Sequence, residues 1–439
     1  MNYKKLNLIA ADLKHIWHPG SQMKDLYENP PLIIKKAHGS YLYTSKGPVI
    51  DAISSWWCKS LGHGHPKILA ALRKQLSRFE HVIAANTCHQ PLVALGSKLA
   101  EITKKQHLFF ASDGSSAVEV ALKLVLQASQ LNGFSERCEF IALKNGYHGE
   151  TLGTLSVGDL RQYRQYYGEH GPKCHIINPL PYVNQQTEPL WRNAEDSWLK
   201  LKPDLEQIKT KVCAIVFEPI VQGAAGMLCY SADFLKKLAI WARQNGIYLI
   251  ADEIMTGIGR TGKWLACEHA AVDPDLICLS KGLTGGTIPF SCVAIAHDLY
   301  ELFYDDYQNG KSFLHSHTYS ANPLGVAAAL ATLQTIETEG ILEQAQQLGH
   351  LMHANFAELA ATTGKLMNVR SVGAIVAADL VPINKPRLGF KLAQEALARG
   401  ALLRPIGNTL YWLPPLNISH DVIAKLAKIT LNAIEAVYI

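Results

Sequence analysis

"GIYLIADEIMTG" (residues 246–257) and "DPDLICLSKGLTGG" (residues 273–286) decide how this chain is read. Each is a short apolar run that stops at a charged residue, Asp252 in the first and Lys281 in the second, 29 positions later. Apolar runs of this length, bounded by Gly and Asp-Pro, suit strands buried on both faces. An acid at one strand end and a lysine at the next are what pyridoxal phosphate chemistry needs. The lysine forms the Schiff base, and the acid keeps the pyridine nitrogen protonated so that the ring withdraws electrons. Any α/β protein has strand ends bearing Asp and Lys, so the pair gains its weight from its neighbours.

Outward from this pair, residues 61–330 alternate helical and strand-like patterns. "HPKILAALRKQLSRF" (65–79) has helical spacing, and "QHLFFAS" (106–112) is strand-like and runs into a helical segment that starts "DGSSAVEV". "RCEFIALKN" (137–145) and "VCAIVFEPI" (212–220) read as further strands, and "ADFLKKLAIWARQNG" (232–246) as a helix ended by Gly246. Such alternation predicts an α/β fold with a mostly parallel sheet. Beyond residue 330 the chain turns helix-rich, with short strands in "VRSVGAIVAADLV" (369–381) and "ALLRPIGNTLYWLPP" (401–415). We expect a large domain over 61–330 and a smaller α+β domain over 331–439, joined by the N-terminal segment 1–60.

Composition sets outer bounds. The chain has 439 residues and 48% hydrophobic content, enough for a large core. The net charge of +5 is small and no long basic run is present, which argues against a nucleic-acid partner. Nine cysteines without a Cys-x-x-Cys spacing read as reduced thiols, with neither a disulfide framework nor a metal site. "MNYKKLNLIAADLKHIWHP" (1–19) does not read as a signal peptide, and no apolar run is long enough to span a bilayer. A cytoplasmic location is expected.

Further motifs sit where strands end. "SDGSSAVEVALK" (112–123) places Gly114 and Ser115 at a strand-to-helix turn, whose free N–H groups suit a phosphate or an ordinary N-cap. In "NGYHGET" (145–151), Tyr147 can lay its ring on a flat cofactor, with His148 and Glu150 as polar neighbours. Glu218 in "EPIVQGAAGM" (218–227) closes another strand, so three successive strands end in polar residues at the side where open α/β sheets bind ligands. "HSHTYSANPLG" (315–325) carries Thr318 in a loop before a helix, again suited to a phosphate. His315 and His317 lack the further ligands of a metal site. Arg404 has the planar fork that matches a carboxylate, and "SSWW" (54–57) offers Trp56 and Trp57 as an aromatic wall or as core.

Taken together, these residues resemble the class III aminotransferases among the fold-type I PLP-dependent enzymes, over nearly the whole chain. "HIWHP" (15–19), "SSWW", "GYHGET", "EPIVQGAAGM", "GRTGKWLACEHA" (259–270), "KGLTGGT" (281–287) and "RPIGN" (404–408) are similar to the branch that aminates 8-amino-7-oxononanoate in biotin biosynthesis. The resemblance implies a homodimer with shared active sites. It implies that Lys281 holds the cofactor and shuttles the proton, that Asp252 binds the pyridine nitrogen and that Tyr147 stacks on the ring. It further implies that Gly114, Ser115 and Glu218 belong to the cofactor site, with Thr318 reaching in from the partner. Trp56, Ser316, Arg404 and Tyr411 would line the substrate pocket, with Arg404 on the carboxylate. The implied donor is S-adenosylmethionine, with lysine as the alternative. Gly20 stands where enzymes using S-adenosylmethionine usually carry a tyrosine, and His317 departs from the family's usual loop in the direction of lysine users. Another class III omega-aminotransferase, acting on a diamine, ornithine or 4-aminobutyrate, is the remaining alternative.

Overall fold

The computed structural model describes residues 7–167 and 170–439. Residues 1–6, part of the N-terminal stretch read above as no signal peptide, lie outside the described residues. A seven-stranded sheet forms the centre. Its spatial order is His107–Ala111, Ser291–Ile295, Leu276–Leu279, Tyr248–Asp252, Val212–Phe217, Glu139–Leu143 and Cys174–Ile177. Only Ser291–Ile295 runs against the rest, pairing antiparallel with both of its neighbours. Every other pair is parallel. All residues of Val212–Phe217 and Leu276–Leu279 are buried, as expected of strands covered on both faces.

Local signals set the helices. The helix Gly114–Leu131 starts at Asp113, whose carboxylate accepts the Ser116 N–H at 2.9 Å. Ala232–Gln244 ends just before Gly246, whose φ of +63° is the left-handed conformation that closes a helix. Pro323–Thr338 is capped by Asn322 and is apolar on nearly every side, so it lies inside the core. Gly325 lets this helix meet Phe290; a Cβ there would stand 2.4 Å from Phe290 Cδ2.

The C-terminal part adds the helices Ile341–Thr363, Leu388–Ala398 and His420–Tyr438 around a three-stranded antiparallel sheet of Leu366–Val372, Ile375–Leu380 and Thr409–Trp412. A separate four-stranded sheet joins both ends of the chain: Ile34–His38, Tyr41–Thr44 and Gly47–Asp51 pair in sequence order, and Ala401–Leu402 adds to Gly47–Asp51 in parallel. The parallel pairing sets Leu402 beside Asp51, so residues just past 402 emerge next to residues just past 51. One continuous apolar cluster runs from Leu279 and Val326 to Phe356 and Trp412 and ties the central sheet to the C-terminal part. All nine cysteines are unpaired. Among the described residues no helix is long and apolar enough to cross a membrane, and no group of three or more His, Cys, Asp or Glu is placed to hold a metal.

Candidate active site

The parallel strands deliver their polar ends to one edge of the sheet. Asp252 ends its own strand, Glu218 follows Phe217, Lys281 follows Leu279 by two residues, and Tyr147 and His148 come four and five residues after Leu143. With Gly114 and Ser115 from the helix start, they line a cavity of about 440 Å³. Trp56, Trp57 and Cys58 close its other side.

Lys281 takes a left-handed backbone, φ +31°, at the start of a short 3-10 turn. Its Nζ lies 5.2 Å from the centroid of the Trp57 ring. Burial lowers its pKa, while Asp252 and Glu218 push it back up. Asp252 is held on both oxygens: Oδ2 is 2.9 Å from His148 Nδ1, and Oδ1 accepts the Ile254 N–H at 3.1 Å. Glu218 is buried and accepts the N–H of Tyr147 at 3.0 Å and of Gly223 at 2.9 Å. Burial, with the nearby Asp252 charge adding to it, pushes its pKa up to about 7. The Tyr147 hydroxyl donates to Glu150 Oε1 at 2.8 Å, and burial together with that carboxylate raises its pKa.

Pyridoxal phosphate fits this cradle. A Cβ on Gly114 would lie 2.9 Å from Ile254 Cδ1, and one on Gly149 2.3 Å from Ser115 Oγ, so the two glycines let Ile254 and the 145–151 loop close on the helix N-terminus, whose free N–H groups suit the phosphate. His148 Nε2 is buried without a partner, and its other nitrogen holds Asp252.

A second cavity of about 300 Å³ adjoins the first through Trp56 and Trp57. Arg404, Tyr411, Glu150, Tyr163 and Gly20 line it. The Arg404 guanidinium stacks on Trp56 at 4.4 Å from the ring centroid and donates from Nη2 to the Gly20 carbonyl at 2.9 Å. Trp57 Nε1 donates to the Tyr411 hydroxyl at 2.9 Å, and burial pushes the Tyr411 pKa up to about 12. Trp56 is 45% exposed and Trp57 only 9%, so both tryptophans line the cavities but only Trp56 presents a wide face to an incoming molecule.

The structure thus brings Gly114, Ser115, Tyr147, Glu218, Asp252 and Lys281 together, and sets Trp56, Arg404 and Tyr411 beside them. Ser316 and Thr318 are not in either cavity. Ser316 lines a separate cleft with Phe109 and Ala84, and Thr318 is exposed. Sequence reasoning missed the His148 bond to Asp252, the contribution of Gly149, and the buried Asp51 beneath the tryptophans. The histidine next to Tyr147 was a usable signal for the first. Asp51, in the run "PVIDAIS", carried none.

The model of the family described as aminotransferase class-III matches residues 23–434. The chain is 38% identical over 433 residues to the adenosylmethionine-8-amino-7-oxononanoate aminotransferase of Helicobacter pylori, covering 97% of both chains. The crystal structure of the enzyme of that name from Methanocaldococcus jannaschii superposes with a TM-score of 0.90 at 33% identity, covering 98% of each chain. An amine transaminase from an uncultivated Pseudomonas species, solved in its PLP-bound form, gives 0.88 at 29% identity over 96% of this chain and 98% of that one.

Proposed function

This chain belongs to the class III aminotransferases, which are PLP-dependent, and from that premise we propose that it transfers an amino group to C7 of 8-amino-7-oxononanoate, giving 7,8-diaminononanoate for biotin biosynthesis, with S-adenosylmethionine as donor. The observation that carries the reading is the pairing of two sites: Lys281 and Asp252 in one cavity, and the Arg404–Trp56 stack in the next. A keto acid with its carboxylate on Arg404 lays its chain along the indoles and brings its keto carbon towards Lys281.

Bound pyridoxal phosphate supplies a carbonyl that accepts the amino group and a ring that withdraws electrons from the reacting carbon. Lys281 Nζ, whose pKa burial lowers, takes the proton from the donor carbon in its neutral form and in the return half-reaction delivers one to C7. Asp252, oriented by His148, would pair with the ring nitrogen. Tyr147 would cover the ring, and Gly114 and Ser115 at the helix start would receive the phosphate. Glu218 anchors the Tyr147 backbone and adds negative charge beside Lys281. Because donor and acceptor use one site in turn, kinetics are ping-pong.

Gly20 favours a second reading, lysine as donor. Its φ is +58°, and a Cβ there would stand 3.3 Å from both Arg404 Nη2 and Trp56 Cη2, so this position presents only backbone to the pocket.

We read the protein as a homodimer. Leu314 and Tyr319, in the loop that bears Ser316 and Thr318, are 90% and 60% exposed, apolar side chains well suited to a second copy. In that assembly Thr318 reaches the partner's phosphate site and Ser316 its substrate. Residues 61–330 serve as the cofactor domain, and 331–439 with 1–60 as the small domain. Nine unpaired thiols suit a reducing compartment, and we place the enzyme in the cytoplasm.

The test is formation of 7,8-diaminononanoate from 8-amino-7-oxononanoate by the PLP-loaded enzyme, with S-adenosylmethionine or lysine as the sole donor. Product with S-adenosylmethionine is expected. Product with lysine alone transfers the donor role to lysine, and no product with either overturns the substrate assignment.

A further inference from the structure

The two tryptophans stand on an unusual turn. Ser54, Ser55 and Trp57 all take left-handed backbone, with φ of +48°, +60° and +67°. None is glycine, so the conformation has to be held from outside the turn. What holds it is Asp51, the last residue of Gly47–Asp51, which is fully buried. Oδ1 accepts the Ser55 N–H at 2.9 Å and the Ile53 N–H at 3.4 Å. Oδ2 accepts the Ser55 hydroxyl at 2.8 Å and lies 2.8 Å from His63 Nε2. His63 is itself fixed, exchanging backbone hydrogen bonds of 2.8 and 2.9 Å with Gly39.

The turn bears on both ends of the site. Trp57 faces Lys281 Nζ at 5.2 Å, and Trp56 lies under the Arg404 guanidinium at 4.4 Å. Arg404 comes from the same sheet, two residues after Leu402, the pairing partner of Asp51. A shift at Asp51 therefore moves the lysine's aromatic neighbour, the platform under the arginine and the strand that delivers the arginine.

We propose that Asp51, braced by His63, is a positioning residue that sets the distance between the lysine cavity and the carboxylate-binding arginine. It touches neither cofactor nor substrate and acts through the Ser54–Trp57 turn. The proposal rests on the substrate reading above only for the role of Arg404.

The experiment compares the holoenzyme with Asp51→Ala, Asp51→Asn, Ser55→Ala and Phe356→Leu. The last removes part of a buried ring that packs on Trp412 and lines neither cavity, and controls for general loss of stability. Two quantities are read: kcat and KM for 8-amino-7-oxononanoate, and the midpoint of the pH titration of the bound cofactor's absorbance, which reports the surroundings of Lys281 without substrate. Asp51→Ala is expected to raise KM by about tenfold, lower kcat and move the titration midpoint. Asp51→Asn, which keeps an acceptor for both N–H groups, is expected to restore KM to within about threefold. Phe356→Leu should lower the thermal midpoint and leave both readouts in place. Should Asp51→Ala not fold, Ser55→Ala, which loses one hydroxyl contact, is expected to raise KM about threefold. If the wild type does not use this keto acid, the substrate reading falls, and the absorbance titration alone still decides the role of Asp51. A folded, cofactor-loaded Asp51→Ala with unchanged KM and midpoint overturns the proposal, as does an unchanged Ser55→Ala where Asp51→Ala does not fold.

Discussion

Replacing Arg404 by alanine tests the substrate site most directly. One of its N–H groups is already given to the Gly20 carbonyl, and its flat face rests on Trp56, so the remaining donors are oriented before any ligand arrives. A hydrogen-bonded pair between charged groups contributes about 1.5–3 kcal/mol. At roughly 1.4 kcal/mol per factor of ten, its loss raises KM for the keto acid about 10- to 150-fold. The arginine grips the far end of the chain equally in ground and transition states, so kcat should change little. Arg404→Lys restores the charge but neither the fork nor the stacking, and should fall in between. Steady-state kinetics at saturating donor measure this, with the methyl ester of the keto acid as second substrate. The wild type should prefer the acid to the ester by the factor lost on mutation, and Arg404→Ala should treat the two alike. A variant whose KM stays within twofold of wild type, or that keeps its full preference for the acid, would place the carboxylate elsewhere.

Three further outcomes are expected. Lys281→Ala should abolish turnover while binding the cofactor without a covalent link; measurable amino-group exchange at a normal rate would contradict the role given to Lys281. Glu218→Gln removes a carboxylate that raises the Lys281 pKa, so the neutral, proton-accepting form of the lysine persists to lower pH. The acidic limb of the kcat/KM profile should therefore move down, and a profile that stays put or moves up would show that Glu218 does not act on the lysine. Gly325→Ala forces a methyl group against Phe290, at 2.4 Å in the present geometry, and should cost about 1–3 kcal/mol in urea unfolding, whereas an unchanged midpoint would mean that the helix moves freely.

The central sheet was legible because its strands are buried on both faces. That condition writes them as apolar runs, and the functional residues stand at the ends of those runs, where the pattern breaks. Lys281, Asp252 and Glu218 were therefore visible in a single sequence. The reversed direction of Ser291–Ile295 was not, since strand direction leaves no mark on an apolar pattern. The meeting of Arg404 with Trp56 was hidden for a different reason: nearly 350 residues separate them, and the parallel pairing of Ala401–Leu402 with Gly47–Asp51 rests on two short strands. The Asp51 knot was hidden because a buried acid with four polar partners reads in sequence like any surface acid. Ser316, named from the family resemblance and from no pattern of its own, and Thr318, whose reach into a partner came from that resemblance, lie outside both cavities.

The placement of His107–Ala111 has a consequence for how the chain is made. In the central sheet this strand pairs only with Ser291–Ile295, which begins 184 residues later. At roughly 5–20 residues per second, a ribosome takes on the order of 10–40 s to reach the partner. Throughout that interval an apolar strand edge has no mate from its own chain and is open to pairing with another copy. Expression yield should then depend on holdase chaperones that cover this edge during elongation, more than on the stability of the finished fold.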